Sequence, residues 1–257
     1  MIIKHKDRFF LNVDATTSSG KADVLSRVNQ YGAVVFPHLN SNNLRQDFSD
    51  GLGSCLGKLI HHKHSDRDGA VEIKTDPDKP LYISATSGDT GMHTDNTFGT
   101  QKVGVMALGC DKAVENEGLS KMVYAVDIYR HVSEANPKDL PLLFEPDVLT
   151  VERDGEIASK PIFSVNRQGR LEISYRADDT AQIKIKPSAQ AIFREIREFV
   201  ENPKNQMVFG LKPGQILLVD NTAVLHGRSA FDPSKPRLLY RWWFDGNAPN
   251  VELGFTP

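Results

Sequence analysis

Cysteine is nearly absent from this chain: among 257 residues there are two, Cys55 and Cys110. Two thiols cannot build a disulfide framework, so the fold must rest on buried apolar surface, and a reducing compartment, the cytoplasm, is expected. Neither sign of charge is in excess. Lys and Arg total 31 against 33 Asp and Glu, a net charge of −2, which predicts no general attraction to nucleic acid or to an anionic membrane. No run approaches the roughly 18 consecutive apolar residues of a membrane span. The opening MIIKHKDRFFLNVDATT has neither an apolar stretch nor a small-residue cleavage site, so no signal peptide is expected. Repeats and low-complexity segments are also missing.

What is present is ordinary for a protein with a sizeable core: 39% hydrophobic and 25% charged residues. One domain over 1–257 is expected, with an N-terminal α/β part over about 1–65 and a β-rich core over about 68–245. KADVLSRVNQYG (21–32) has helical spacing and ends at Gly32, and AVVFP (33–37) reads as a buried strand. SNNLRQDFSDGLGSCLGKLI (41–60) reads as a second helix weakened by Gly51 and Gly53. Short β-prone runs then follow at 70–75, 81–84, 102–110, 120–125, 160–165, 170–176, 215–220 and 236–244. Helices are expected at 126–135 and 188–202, the latter with Ile192, Ile196 and Val200 on one stripe. Many short strands with a few helices predict an α+β, mainly β fold, a barrel or sandwich with helices packed outside.

The chemistry is concentrated in three stretches. In SGDTGMHTDNTFGT (87–100), His93 and Asp95 stand two apart, so on extended chain they present an imidazole and a carboxylate to one point. A mononuclear iron site of the facial kind needs a second imidazole. His226, at the end of the apolar strand AVLHGR and before Gly227, is the candidate. Taken alone, it reads more simply as a hydrogen-bonded core histidine. Eleven residues on stands Arg237, and four further Arg241, in PRLLYRWWFD. In a strand, Arg237, Leu239, Arg241 and Trp243 share one face. Two guanidinium groups on so apolar a strand ask for an anionic partner such as a dicarboxylate; solvent-facing arginines on an edge strand are the alternative.

HTDNTF (93–98), LLVDNTAVLHGRSAF (217–231) and RLLYRWWF (237–244) together resemble the iron(II)/2-oxoglutarate-dependent oxygenases of the taurine dioxygenase and clavaminate synthase-like superfamily. That resemblance covers roughly residues 80–245 and implies a double-stranded β-helix (jelly-roll) core. It also implies His93, Asp95 and His226 as iron ligands, Arg237 on the far carboxylate of 2-oxoglutarate, and Arg241 on the near carboxylate or an acidic substrate. EGLSKMVYAVDIYRHVSE (117–134) matches the family's hydroxyl-bearing strand with Ser120, although its glycine pair is not kept. The implied reaction uses O2, releases succinate and carbon dioxide, and hydroxylates an unactivated C–H bond. Desaturation or ring formation remain open, whereas the carboxylate at Asp95 argues against halogenation.

The expected substrate is a small polar molecule, amino-acid-like or otherwise acidic, with no nucleic-acid or membrane partner. Asn96 and Arg176 are weaker substrate candidates, each competing with ordinary turn or surface chemistry. Tyr82, Ser84 and Thr86 offer further polar groups, and HHKH (61–64) reads as a solvated loop with a possible share in a lid. Asp220 and Asn221 read as turn caps, and Trp242 and Trp243 as core packing. Two other classes compete. A barrel that binds a small ligand without catalysis would lose a ligand or the arginine. A zinc hydrolase would need a general-base carboxylate and leaves both arginines unexplained.

Overall fold

The computed structural model describes residues 6–37, 43–75 and 85–257. Two antiparallel sheets face one another. The larger runs β1 (Ala33–Pro37), β13 (Gln215–Asp220), β5 (Val105–Lys112), β15 (Leu238–Phe244) and β2 (Leu59–Ile60), with β3 (Val71–Ile73) also on β15. The smaller runs β12 (Met207–Phe209), β6 (Ser120–Tyr124), β14 (Val224–Arg228) and β4 (Thr90–His93). A third sheet joins β11 (Gln182–Ile185), β7 (Leu149–Arg153) and β8 (Glu156–Lys160), and β9 (Phe163–Val165) pairs with β10 (Leu171–Ile173). The expected jelly-roll is present.

Alternation along β15 divides the core. Leu239 and Trp243 pack into the apolar interior between the sheets, while Tyr240, Trp242 and Phe244 pack on the outer side. That outer side is covered by α2 (Ser18–Tyr31) and α3 (Leu44–Asp50), through Val24, Leu25, Val28 and Phe48. Before α2 comes one short turn, α1 (Lys6–Phe9). Across the molecule α4 (Ala125–Ala135) packs on α5 (Gln190–Glu201), whose Ile192, Ile196 and Val200 are buried as their spacing requires.

Several boundaries differ from the sequence reading. Helix α2 begins three residues early because the Thr17 hydroxyl accepts from the Gly20 N–H at 3.1 Å. It ends at Gly32, whose φ of 74° closes the helix. The helix expected over 41–60 is only α3: its last turn stops at Gly51, and a 3-10 turn at Gly53–Cys55 and strand β2 follow. Pro161 separates β8 from β9 where one strand was expected, and β10 stops before Tyr175 and Arg176. Strands β7, β8 and β11 were not expected because charged and polar residues interrupt their apolar pattern, and β12 has only three residues. The run at 81–84, with Tyr82 and Ser84, lies outside the described residues.

Candidate metal centre

Strands β4 and β14 are neighbours in the smaller sheet, and their register sets His226 opposite His93. The two imidazole rings lie 4.7 Å apart between centroids. Two residues beyond His93, the Asp95 carboxylate turns back toward both, with Oδ1 3.8 Å from His93 Nε2 and Oδ2 3.6 Å from His226 Nε2. One donor atom from each residue falls within 4.8 Å of the others.

The surroundings prepare these groups as ligands. His93 Nδ1 lies 2.9 Å from the Gly91 carbonyl, so that nitrogen holds the proton and Nε2 keeps its lone pair. Burial, then the charge of Arg176, pushes the His93 pKa down to about 3, so the ring is neutral near pH 7. Burial by itself would raise Asp95. Arg241 and the two histidines outweigh it and hold the carboxyl well below its usual range. His226 Nδ1 is buried without a hydrogen-bond partner among the described residues, so packing and Asp95 alone orient that ring.

Asp95 is held from every side. Trp243 donates its indole N–H to Oδ2 at 2.7 Å, and Arg241 Nη1 donates to Oδ1 at 3.1 Å. Its backbone is clamped by Asn221, 126 residues away. The Asn221 Oδ1 accepts the Asp95 N–H at 2.7 Å, and its Nδ2 donates to the carbonyls of Asp95 at 3.2 Å and Val103 at 2.9 Å. Asn221 therefore does more than the turn capping expected of it, a role that Asp220 does fill toward Thr222. Trp243 is likewise more than packing. Its place on the same strand face as Arg241 was the available signal.

A small cavity of about 30 Å³ opens at His93 and Asp95, bordered by Asn96, Phe98, Arg153, Arg176, Arg241 and His62. Arg176 is 2% exposed, and donates from Nε to Asp178 at 2.7 Å and from Nη1 to Thr97 at 3.3 Å. The surface alternative for it is thereby excluded. Asn96 adopts φ 56°, and its amide donates to the Gln101 carbonyl at 2.8 Å, so its side chain also shapes the loop after Asp95. In the loop at 61–64, His62 is drawn inward, edge-on to Trp243 at 4.9 Å. Thr86 stands apart, its carbonyl accepting from Arg228 at 2.7 Å.

Arg237 and Ser120 meet elsewhere, on a cavity of about 450 Å³ shared with Cys110 and Leu239. The Arg237 guanidinium lies over the Phe231 ring at 5.0 Å, and its Nη1 is buried with no partner among the described residues. Burial lowers its pKa to about 10. Gly118 leaves it room: a Cβ there would come within 2.8 Å of Arg237 Nε. A buried cation without an anion is costly, and an entering carboxylate would relieve it. Two imidazoles and a carboxylate are the donor set for iron(II) with open coordination positions, and the orphaned guanidinium suits the free end of a dicarboxylate. The residues present therefore fit both the metal and 2-oxoglutarate.

Fold and donor set together define a double-stranded β-helix with a two-histidine, one-carboxylate centre. The chain belongs to the family described as taurine catabolism dioxygenase TauD, TfdA family, which it matches over residues 6–243. Among its relatives is the mitochondrial trimethyllysine dioxygenase of Rattus norvegicus, 28% identical over an alignment of 154 residues that covers 54% of this chain and 36% of that one. Human gamma-butyrobetaine dioxygenase is 24% identical over an alignment of 174 residues that covers 63% of this chain and 44% of that one. The chain thus spans less than half the length of these relatives. A crystal structure of asparagine oxygenase in complex with Fe(II), (2S,3S)-3-hydroxyasparagine and succinate superposes with a TM-score of 0.69. It covers 89% of this chain and 79% of its own at 17% identity, a likeness of fold. No helix among the described residues is long and apolar enough to cross a membrane.

Proposed function

We propose that the chain is an iron(II)- and 2-oxoglutarate-dependent oxygenase that hydroxylates an unactivated C–H bond of a small, amino-acid-like substrate. The observation that carries this reading is the gathering of His93, Asp95 and His226 at one point, from segments far apart in the chain. Bound iron(II), with 2-oxoglutarate and O2, supplies the oxidation that turns the keto acid into succinate and carbon dioxide and hydroxylates the substrate.

The chain's own part is placement. His93 offers a neutral imidazole and His226 a second ring nitrogen, and Asp95 offers a carboxylate that Arg241 helps keep ionised and Trp243 helps aim. Arg237, helped by the Ser120 hydroxyl, takes the far carboxylate of 2-oxoglutarate. Arg241 lies beside the ligands, where it serves the near carboxylate or the substrate, and Asn96 and Arg176 border the same space. The buried walls keep water from the reacting atoms. Both cysteines are free thiols, which suits a reducing compartment such as the cytoplasm.

The test is turnover of the co-substrate. Aerobic protein with iron(II) and 2-oxoglutarate should release succinate slowly alone and faster with the right substrate, and His226→Ala should abolish both. Folded wild-type protein that binds neither iron(II) nor 2-oxoglutarate and forms no succinate would refute the proposal.

A further inference from the structure

A buried guanidinium that waits for an anion needs something else to keep it in place. Arg237 makes no hydrogen bond or ion pair with any described residue. Its guanidinium lies instead against the Phe231 ring, 5.0 Å from the centroid. The stem runs past Gly118, where a Cβ would come within 3.3 Å of Arg237 Cδ, and the Gly118 N–H donates to the carbonyl of Ala230, next to Phe231.

Phe231 is itself fixed from a different part of the chain. It is 6% exposed, and its backbone N–H donates to the Ser87 carbonyl at 3.0 Å. A second guanidinium, that of Arg228, lies 4.9 Å from the ring centroid. Unlike Arg237, this group is anchored, because its Nη2 donates to the carbonyls of Thr86 and Gly88 at 2.7 Å each. Three successive carbonyls, those of Thr86, Ser87 and Gly88, therefore accept from Arg228 and Phe231. The segment they form leads into β4 and His93, which sets the ring in a defined place relative to the metal ligands.

An aromatic face attracts a cation through its quadrupole, more strongly where water is kept away, and leaves the charge unneutralised. A carboxylate in the same place would hold Arg237 as well but would compete with an incoming anion. Resting on the oxygenase reading above, we propose that Phe231 is a positioning residue for the co-substrate. Its ring, pinned by Arg228 and Ser87, holds the Arg237 guanidinium where the far carboxylate of 2-oxoglutarate arrives. Phe231 touches no reacting atom, and its effect passes through Arg237.

Two keto acids separate this role from general packing. 2-Oxopentanoate has the chelating head and chain length of 2-oxoglutarate, with a methyl group in place of the far carboxylate. Under argon, 2-oxoglutarate is titrated calorimetrically into iron(II)-loaded wild type, Phe231→Leu and Phe231→Tyr, and 2-oxopentanoate affinity is read by competition against it. Phe231→Leu keeps apolar bulk without the ring and should weaken 2-oxoglutarate about tenfold. Phe231→Tyr keeps the ring and should stay within about twofold of the wild type. Affinities for iron(II) and for 2-oxopentanoate should stay unchanged in both variants. Phe231→Met, also without a ring, takes the place of the leucine variant if that protein does not fold. Unchanged 2-oxoglutarate affinity without the ring, an equal loss for both acids, or a loss in Phe231→Tyr as large as in Phe231→Leu overturns the inference. A folded wild type that binds no 2-oxoglutarate in the presence of iron(II) sinks the oxygenase reading and this inference with it; a wild type that binds and a ringless variant that binds equally well sink the inference alone.

Discussion

Replacing Asn221 by alanine should cost the protein both stability and its metal site. The side chain is 4% exposed and makes three hydrogen bonds, accepting from the Asp95 N–H and donating to the carbonyls of Asp95 and Val103. Alanine would leave one buried donor and two buried acceptors unmatched. Each such group costs about 1–3 kcal/mol, with carbonyls at the low end, which gives a loss of about 3–5 kcal/mol. That is a large share of the roughly 5–15 kcal/mol by which a domain is stable. The backbone N–H of Asn221, bonded to the Gly104 carbonyl at 2.9 Å, is untouched by the change. The effect is therefore assignable to the side chain. Equilibrium urea unfolding followed by far-ultraviolet circular dichroism measures it. With a slope of about 3 kcal/mol/M, the midpoint should fall by about 1 M or more. Metal affinity, read by titration under conditions where the variant stays folded, should fall about tenfold to a hundredfold because Asp95 loses its aim. A stability loss below about 1 kcal/mol together with unchanged metal affinity would refute the clamp.

Three further outcomes are expected. Trp243→Phe removes the indole donor to Asp95 Oδ2 and should lower iron(II) affinity about tenfold while costing about 1.5–3 kcal/mol, checked by metal titration and denaturation. Burial pushes the Asp220 carboxyl up to about 7, against donors from Thr222 and Gly254. The native state therefore keeps a proton that the unfolded chain releases near pH 4. Stability from this group is full below about pH 4 and is lost as the pH rises toward 7, by at most about 4 kcal/mol. Asp220→Asn should flatten that slope in unfolding curves taken across the window, and an unchanged slope would contradict the assignment. Finally, burial pushes the Cys110 thiol up to about 11, so at pH 8 an alkylating reagent should modify half-buried Cys55 first and reach Cys110 only on unfolding. Peptide mass analysis distinguishes the two.

The sequence was most legible where one strand carries its own pattern. Alternation in RLLYRWWF separates the face bearing Arg241 and Trp243 from the face bearing Trp242 and Phe244, and the structure keeps that division. The His-x-Asp pair and His226 were legible because an extended segment and an apolar strand end each fix where a side chain points. Contacts made by sheet register were not legible. Nothing near Asn221 in the chain says that it lies against Asp95, because that contact depends on how the turn between β13 and β14 meets the loop after β4. His62 was read as solvated from its charged neighbours, yet β2 pairs with the end of β15 and carries the following loop onto Trp243. Arg153 escaped notice because charged and polar residues interrupt the apolar pattern of β7, and its approach to the cavity is set by the third sheet. The overlong helix at 41–60 failed on local chemistry, where Gly51 and Gly53 halted a pattern that apolar spacing alone continued.

The central claim is that His93, Asp95 and His226 hold iron(II) and that Arg237 anchors 2-oxoglutarate beside it. The most direct measurement is anaerobic addition of both to the protein, watching for the weak visible absorption band of the iron–keto-acid chelate, with His226→Ala and Arg237→Ala in parallel. The band should form in the wild type, vanish in His226→Ala, and require far more 2-oxoglutarate in Arg237→Ala. A folded wild-type protein that shows no band, or an Arg237→Ala variant that saturates at the wild-type concentration, would contradict the account.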